Sequence, residues 1–252
     1  MRDPASRFYQ QVEVLRARVR TLAGTSTGHA LDIGCKKGDV SSALAKTMRC
    51  VTALDPYPHP DWQVLQETHS NLNFVQGDGQ NLPFSDASFE RVVACECLMY
   101  MDPDRTLKEC HRVLKPDGLL VVTFPEAGPI TQAIDPYNLE RLFINVILPG
   151  RVSHRQKAHH LKSSTLLDAA SDNGWQLEHM ERRGSILFIY LAWWIDRLQI
   201  RHLPEDSPLR HLAAQVTLPV LKLLFFAMRM DCTLRFGPLS YNTIIVLKKS
   251  NT

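Results

Sequence analysis

Residues 31–38 read Leu-Asp-Ile-Gly-Cys-Lys-Lys-Gly, an apolar strand that runs straight into a glycine turn and hands over to a helical pattern at 40–47. The same alternation continues down the chain. Segments 50–54, 73–76, 91–97 and 119–124 read as further buried strands, the first of them ended by Asp55-Pro56. A helix at 104–114, stopped by Pro116-Asp117-Gly118, separates the last two of these. Ahead of them all, a helix at 8–23 carries Val12, Leu15, Val19 and Leu22 on one stripe. Strands alternating with helices predict an α/β chain with a parallel sheet covered on both faces. The second half is less regular. It has a weak helical pattern around 139–147, a helix at 164–173, a strand at 175–180 after Gly174, and a closing strand at 241–248. Between the last two lies an apolar helical insertion, residues 184–240.

A chain of 252 residues that is 44% apolar can bury a large core, and the reading is a single domain over 1–252. The 29 basic and 26 acidic residues leave a net charge of +3, too balanced to argue for nucleic acid. Residues 1–20 are polar and charged, without the apolar core of a signal peptide. The longest apolar run, 186–195, is about half the ~20 residues that span a bilayer. Cys35, Cys50, Cys95, Cys97, Cys110 and Cys232 form no disulfide-scaffold pattern, and no metal-ligand set is visible, so no metal is expected. Core thiols in a cytoplasmic protein are the reading.

The turn at 34–38 invites a ligand. Glycines let the backbone approach closely and aim a helix N-terminus at what binds there. The spacing Gly34-xxx-Gly38 differs from the G-x-G-x-x-G of a dinucleotide site. The acid before it, Asp32, suits a ligand carrying an ammonium and a sulfonium better than one carrying phosphate. Asp55 ends the second strand, 21 positions after Gly34, where an acid can take both hydroxyls of a ribose. Gly77-Asp78-Gly79 follows the third strand, and the Asp78 carboxylate can accept an adenine amino group. Each piece alone has a plainer reading, since strand-end acids and turn glycines are common. The ordered set at domain-scale spacing does not.

With these pieces in place, the chain resembles the class I S-adenosylmethionine-dependent methyltransferases of the ubiquinone/menaquinone-biosynthesis-like group, methyltransferase type 11. Residues 31–38 match that family's LDxGCGxG, 82–90 its LPF-x-D-x-SFD, 95–103 its SEVLEHV-x-DP and 112–118 its RVLKPGG. The resemblance covers 30–126 well and recurs weakly at 166–174 and 241–248. It implies a Rossmann-like, doubly wound, seven-stranded sheet whose last strand is antiparallel, with the helical insertion before that strand. It also implies S-adenosyl-L-methionine as cofactor, in a pocket lined by Asp32, Gly34, Lys36, Gly38, Asp55, Asp78, Gly79, Cys95 and Glu96. Three departures stand out. Lys36 replaces the middle glycine, adding a Cβ and a positive charge that can either meet the methionine carboxylate or weaken binding. Tyr100 stands where the family often has histidine. Asp117 replaces a turn glycine, which an Asp tolerates in the left-handed region.

In such a reaction the methyl is already activated, and holding it in line with the nucleophile is worth about 7–11 kcal/mol. A general base is needed only where the nucleophile must lose a proton. Tyr100, His154 and His160, with the neighbouring His159, are the candidate catalytic residues, each of which also reads as ordinary polar surface. Residues 125–163 are a candidate substrate lid. Its basic stretch 151–162 reads equally as an anion-binding segment or a solvated loop. In the insertion, 186–195 carries Trp193 and Trp194, and 218–230 carries Phe225 and Phe226 between Lys222 and Arg229. Such helices suit a membrane interface or lipid-substrate tunnel, a homodimer face, or a cap over the sheet. The expectation is methyl transfer to a small-molecule or lipid-linked substrate by a biosynthetic enzyme that is cytoplasmic or peripheral to the membrane. The alternative is a non-catalytic binding or scaffold protein that kept the fold and lost the cofactor because of Lys36.

Overall fold

The structure, a computed structural model, describes residues 13–24, 26–126, 161–184, 223, 226–227, 230 and 242–250. In chain order the elements are α1 (Glu13–Ala23), β1 (Ser26–Ile33), α2 (Asp39–Leu44), β2 (Met48–Asp55), α3 (Asp61–Thr68), β3 (Leu72–Gln76), β4 (Phe89–Cys95), a 3-10 turn (Leu98–Tyr100), α4 (Pro103–Val113), β5 (Leu114–Pro125), α5 (Ser163–Asp172), β6 (Trp175–Arg183) and β7 (Asn242–Lys249). The chain divides into two compact units. One comprises Arg16–Ala127, Ser153–Glu181 and Asn242–Thr252 and carries β1–β5 and β7. Of the other, residues 13–15, 182–184, 223, 226–227 and 230 are described; Leu223, Phe226, Ala227 and Met230 are helical, with Leu223, Phe226 and Met230 exposed at 67%, 63% and 48%.

The seven strands form one sheet in the order β3-β2-β1-β4-β5-β7-β6. β1 pairs in parallel with both β2 and β4, and β5 with β4. β7 runs antiparallel to β5, from Leu119 against Lys248 to Pro125 against Asn242. This is the Rossmann-like, doubly wound sheet with an antiparallel last strand that the resemblance implied. The central strands read as continuous apolar runs because both their faces are covered. Leu31, Ile33, Val92, Ala94, Leu120, Val122, Ile245 and Leu247 are all within 1% of full burial and share one core with Leu107, Cys110 and Val113 of α4.

α4 shows how the sequence closes its own helix. Asp102 caps the first turn, accepting from the amides of Asp104 at 3.0 Å and Arg105 at 3.3 Å, and Pro103 occupies the start, where no amide donor is needed. Thr106, Leu107, Cys110 and Val113 make the buried stripe, while His111 and Arg112 sit at the negative end of the helix dipole. Between β4 and β5 the ladder slips, with Phe89 opposite Leu114 and Arg91 opposite Leu119. Asp117 in that bulge has a φ of 59°, the left-handed conformation expected of it.

Several elements differ from the sequence reading, α3 and β6 among them. α3 was not expected: among its residues only Trp62 is buried, and Val64 is 61% exposed, so no apolar stripe marks it. β6 continues to Arg183 in place of ending near 180, because Glu181 is buried at 6% exposure and held by Arg18 of α1, at 2.7 and 3.1 Å. The lid residues 127–160, the insertion 185–240 apart from Leu223, Phe226, Ala227 and Met230, and His154, His159, His160, Trp193, Trp194, Phe225 and Arg229 lie outside the described residues.

Candidate functional site

The strand order reverses between β1 and β4, and in open α/β sheets that reversal leaves a crevice at the carboxyl ends of the strands. Gly34, Asp55, Cys95 and Glu96 stand at or just past those ends on β1, β2 and β4. The sheet therefore brings together three regions separated by tens of residues in sequence.

The glycine loop is pinned at its start. The amides of Gly34 and Cys35 both donate to the Leu54 carbonyl at the end of β2, at 2.8 and 3.1 Å. Gly34 has a φ of 70°, and a Cβ there would lie 2.4 Å from Cys97 Cβ, so the loop passes against the segment after β4 with no room for a side chain. Cys97 Sγ donates to the Ile33 carbonyl at 3.1 Å from the other side. At the far end Gly38 has a φ of 92°; a Cβ would meet Phe74 Cζ at 2.7 Å and Leu65 Cδ1 at 2.8 Å. Both glycines are required twice over, by conformation and by space.

Lys36, between them, also adopts the left-handed region, with a φ of 50°. Its amide donates to Asp55 Oδ2 at 2.9 Å, and its carbonyl accepts from Trp62 Nε1 at 2.7 Å. The loop thus keeps a glycine-like course although a lysine occupies it, and the Lys36 residue is exposed.

The acids divide into a buried and a rim group. Asp32 is 1% exposed and accepts from Ser41 Oγ at 2.5 Å, which places it beneath the loop, tying it to α2. Asp55 is 9% exposed; Oδ2 accepts from Lys36 and Oδ1 from the Tyr57 amide at 3.0 Å. A carboxylate offers about four acceptor positions, so each oxygen retains one for a ligand. Asp78 is exposed and accepts from the Gln80 amide at 3.0 Å, and Gln80 Oε1 accepts from the Asp102 amide at 2.9 Å, linking this turn to the cap of α4. Gly79 is buried, and a Cβ on it would meet Ile33 Cγ2 and Met101 Sδ, each at 2.7 Å. Glu96 has a φ of 51°, held by its amide donating to the Thr123 carbonyl at 2.8 Å, and its side chain is exposed while Cys95 is half-buried. Tyr100 follows on the 3-10 turn, 48% exposed.

Burial holds Cys35, Cys97 and Cys110 in the thiol form. Burial pushes Cys35 and Cys97 well above the ordinary thiol range, helped for Cys35 by the charges of Asp32 and Asp55, and Cys110 is pushed up to about 12. None is a thiolate nucleophile at neutral pH. Among the described residues no group of three or more His, Cys, Asp or Glu is placed to hold a metal.

Two motif pieces singled out in the sequence build scaffold. Arg112 donates to Glu109 at 2.9 and 2.8 Å, to Asp86 at 2.8 Å, and to the carbonyls of Phe84 and Leu82 at 2.7 and 3.0 Å. Glu109 in turn accepts from the Leu82 amide at 2.8 Å. The 82–86 turn is thus clamped to α4, which fixes where β4 begins. Sequence reasoning missed Ser41, Trp62 and Cys97. Their contacts cross between elements, and no local spacing announces them.

The family model described as "Methyltransferase domain", type 11, matches residues 31–122. The demethylmenaquinone methyltransferase of Staphylococcus epidermidis is 37% identical over 121 residues, 45% of this chain and 50% of that protein. The phthiotriol/phenolphthiotriol dimycocerosates methyltransferase 1 of Mycobacterium ulcerans is 35% identical over 111 residues, 42% of this chain and 41% of that one. The chain thus spans about half the length of the curated relatives it matches. Among solved structures, geranyl diphosphate C-methyltransferase from Streptomyces coelicolor, in complex with S-adenosyl-L-homocysteine, shares the fold with a TM-score of 0.62 at 13% identity, over 94% of this chain and 77% of that one. The 4+2 cyclase SpnF does so at 0.63 and 18% identity, over 94% and 80%. Over residues 31–122 the chain is thus similar to the methyltransferase domains of type 11.

Proposed function

We propose that the chain transfers the methyl group of S-adenosylmethionine to a small hydrophobic acceptor of the quinone or lipid-linked kind. The observation that carries the cofactor half is the juxtaposition of the Gly34–Gly38 turn with Asp55, whose two oxygens each retain an acceptor position beyond the backbone donor they hold. The residues fit the group: a cradle that a Cβ at Gly34 or Gly38 would fill, an acid for a diol, and the exposed Asp78 turn on the same side of the sheet. The demethylmenaquinone and phthiotriol methyltransferases among the relatives support the acceptor class. The exposed apolar residues Leu223, Phe226 and Met230, each helical, are consistent with it.

When bound, S-adenosylmethionine supplies an activated sulfonium methyl. The chain's own part is to bind and align. Asp55 accepts the ribose hydroxyls, the loop backbone lies against the ligand because no side chain intervenes at Gly34, and Asp78 accepts from the adenine amino group. We assign Glu96, held left-handed past β4, and the exposed Tyr100 to the acceptor, where the Tyr100 hydroxyl can hydrogen-bond a phenolic nucleophile that must lose its proton. His154 and His160 stand as further candidates for that proton. Lys36 offers its ammonium to the methionine carboxylate.

Solved neighbours that include a cyclase keep a second reading alive, since fold alone does not fix chemistry. On that reading Lys36 has closed the site and the chain is a binding protein. The bonds from Lys36 to Asp55 and Trp62 argue against it, because they keep the loop open in glycine-like form. The test is calorimetry with S-adenosylhomocysteine, followed by transfer of a labelled methyl group to demethylmenaquinone and to a total lipid extract. Binding with labelled lipid product is expected. Absence of binding overturns the cofactor assignment, whereas binding with label only in water-soluble products overturns the acceptor class.

A further inference from the structure

The cofactor loop rests on a shelf that no motif of the sequence marks. Trp62, near the start of α3, is 9% exposed and stacks on Phe74 of β3, ring centroids 4.9 Å apart and planes 12° from parallel. Leu65 of α3 and the same Phe74 lie under Gly38. Above this shelf the indole Nε1 of Trp62 donates to the Lys36 carbonyl at 2.7 Å, while the Lys36 amide donates to Asp55 Oδ2 at 2.9 Å. Both peptide groups flanking Lys36 are therefore tied down, one from each side.

That arrangement answers a specific problem. Lys36 sits at a φ of 50°. For a residue with a Cβ this region is disfavoured by about five- to thirtyfold in population, a penalty glycine escapes. Something outside the residue has to hold it there. Asp55 does so from β2, but Asp55 is also the acid assigned to the ribose, so its carboxylate is shared. The indole makes no other hydrogen bond among those described, and its ring is already fixed by Phe74.

We infer that Trp62 is the positioning residue that lets a lysine stand in the cofactor loop, by holding the Lys36 carbonyl so that the loop keeps its left-handed turn and Asp55 keeps its aim. The inference rests on the cofactor reading above for its consequence, though not for its geometry. Trp62 acts through the loop backbone and touches no reacting atom.

The test is a double-mutant cycle on the full chain. Trp62→Phe keeps an aromatic ring on Phe74 and removes the donor; benzothienylalanine at position 62, which has the indole outline without the N–H, serves if phenylalanine disturbs packing. Amide hydrogen exchange of the 33–40 segment is read without ligand, and the Kd for S-adenosylhomocysteine by calorimetry. Loss of one hydrogen bond is worth about fivefold, so both exchange and Kd are expected to rise about fivefold in Trp62→Phe. In a Lys36→Gly background the same change should move neither by more than about twofold, since glycine needs no holding. A merely structural tryptophan would weaken the protein equally in both backgrounds. Equal effects in the two backgrounds, or none with Lys36 present, overturn the inference. If the unmodified chain binds no S-adenosylhomocysteine, the proposed function fails, while the exchange comparison still decides the role of Trp62.

Discussion

Replacing Asp55 by alanine separates the structural duty of this acid from its duty toward a ligand. In the folded chain its carboxylate accepts from two backbone amides, Lys36 at 2.9 Å and Tyr57 at 3.0 Å. Hydrogen bonds to a charged acceptor contribute about 1.5–3 kcal/mol each. Tyr57 is 75% exposed, and its amide can turn to water, so its bond counts near the bottom of that range. Asp55→Ala is then expected to lower the unfolding free energy by about 3–4.5 kcal/mol, read as a shift of urea midpoint at unchanged slope. Toward the ligand, two ribose hydroxyls lose the same carboxylate. If half of the charge-assisted worth survives as net binding, Kd for S-adenosylhomocysteine rises by about tenfold to a hundredfold, about 1.4–2.8 kcal/mol. Asp55→Asn keeps the shape but only one acceptor oxygen and sets its NH2 against the other backbone N–H, so it should recover part of the stability and little of the affinity. Calorimetry on variants first shown to be folded makes the comparison. A folded Asp55→Ala whose Kd is unchanged refutes the ribose assignment, and with it the main support for the cofactor site.

Further expectations follow from the same geometry. Gly38→Ala combines left-handed strain with overlap onto Phe74 and Leu65 and should cost about 2–4 kcal/mol, whereas Gly24→Ala, at a φ of 72° with open space around it, should cost about 1 kcal/mol in chemical unfolding. Arg112→Ala should cost about 2–3 kcal/mol by leaving the Leu82 and Phe84 carbonyls and Glu109 without their donor. Hydrogen bonding from Arg112 holds the Glu109 carboxyl below the ordinary range, so its stabilisation is complete above the unfolded value of about 4.3 and is lost as pH falls through the lower folded value. His29 and His111, both depressed by burial, cost nothing above about pH 6.5 and weaken the fold as pH falls below it, where the unfolded chain takes up the proton first. Denaturant midpoints should therefore fall on acidification in two stages, and a flat profile from pH 7 to 4 would contradict these assignments. Glu126→Gln should loosen α5, because Glu126 accepts from the Ser163 amide and hydroxyl, each at 3.0 Å, in a helix whose own cap position, Lys162, supplies no side-chain bond; slower exchange or none at 163–166 would count against this.

What could be read from the sequence follows the range of the physics involved. The central strands were legible because burial on both faces writes an unbroken apolar run, as at Val92–Val93–Ala94, and the glycine turn because its demands on φ are local. Helix α3 was illegible: its one buried residue faces the loop and Phe74 rather than a broad core, so it needs no stripe. β5 begins at Leu114, five positions earlier than read, since the Lys115–Gly118 bulge hides the first pairing with Phe89. Within the site, Asp32 and Asp55 look alike in sequence as strand-end acids. Only the fold separates them, putting Asp32 beneath the loop on Ser41 and Asp55 at its rim.

The same distinction bears on how a methyltransferase domain of this kind can vary. The cofactor half is assembled from short strand–turn segments whose geometry tolerates few substitutions. The identity to the quinone and phthiotriol methyltransferases accordingly covers under half of the chain, while the fold likeness spans 94% of it at 13–18% identity. Even in that half the chain carries a lysine at a glycine position, and the consequence is not loss of the turn but recruitment of a support, the indole of Trp62, from a helix outside the motif. A departure from a binding motif is thus weak ground for inferring lost function when the backbone it threatens is held by its own hydrogen bonds. At Lys36 both peptide groups are held, and the carboxylate that holds one of them is the same one that the proposed cofactor would use. Ligand binding and loop support are therefore expected to be coupled through Asp55, with the loop most ordered when the ribose is in place.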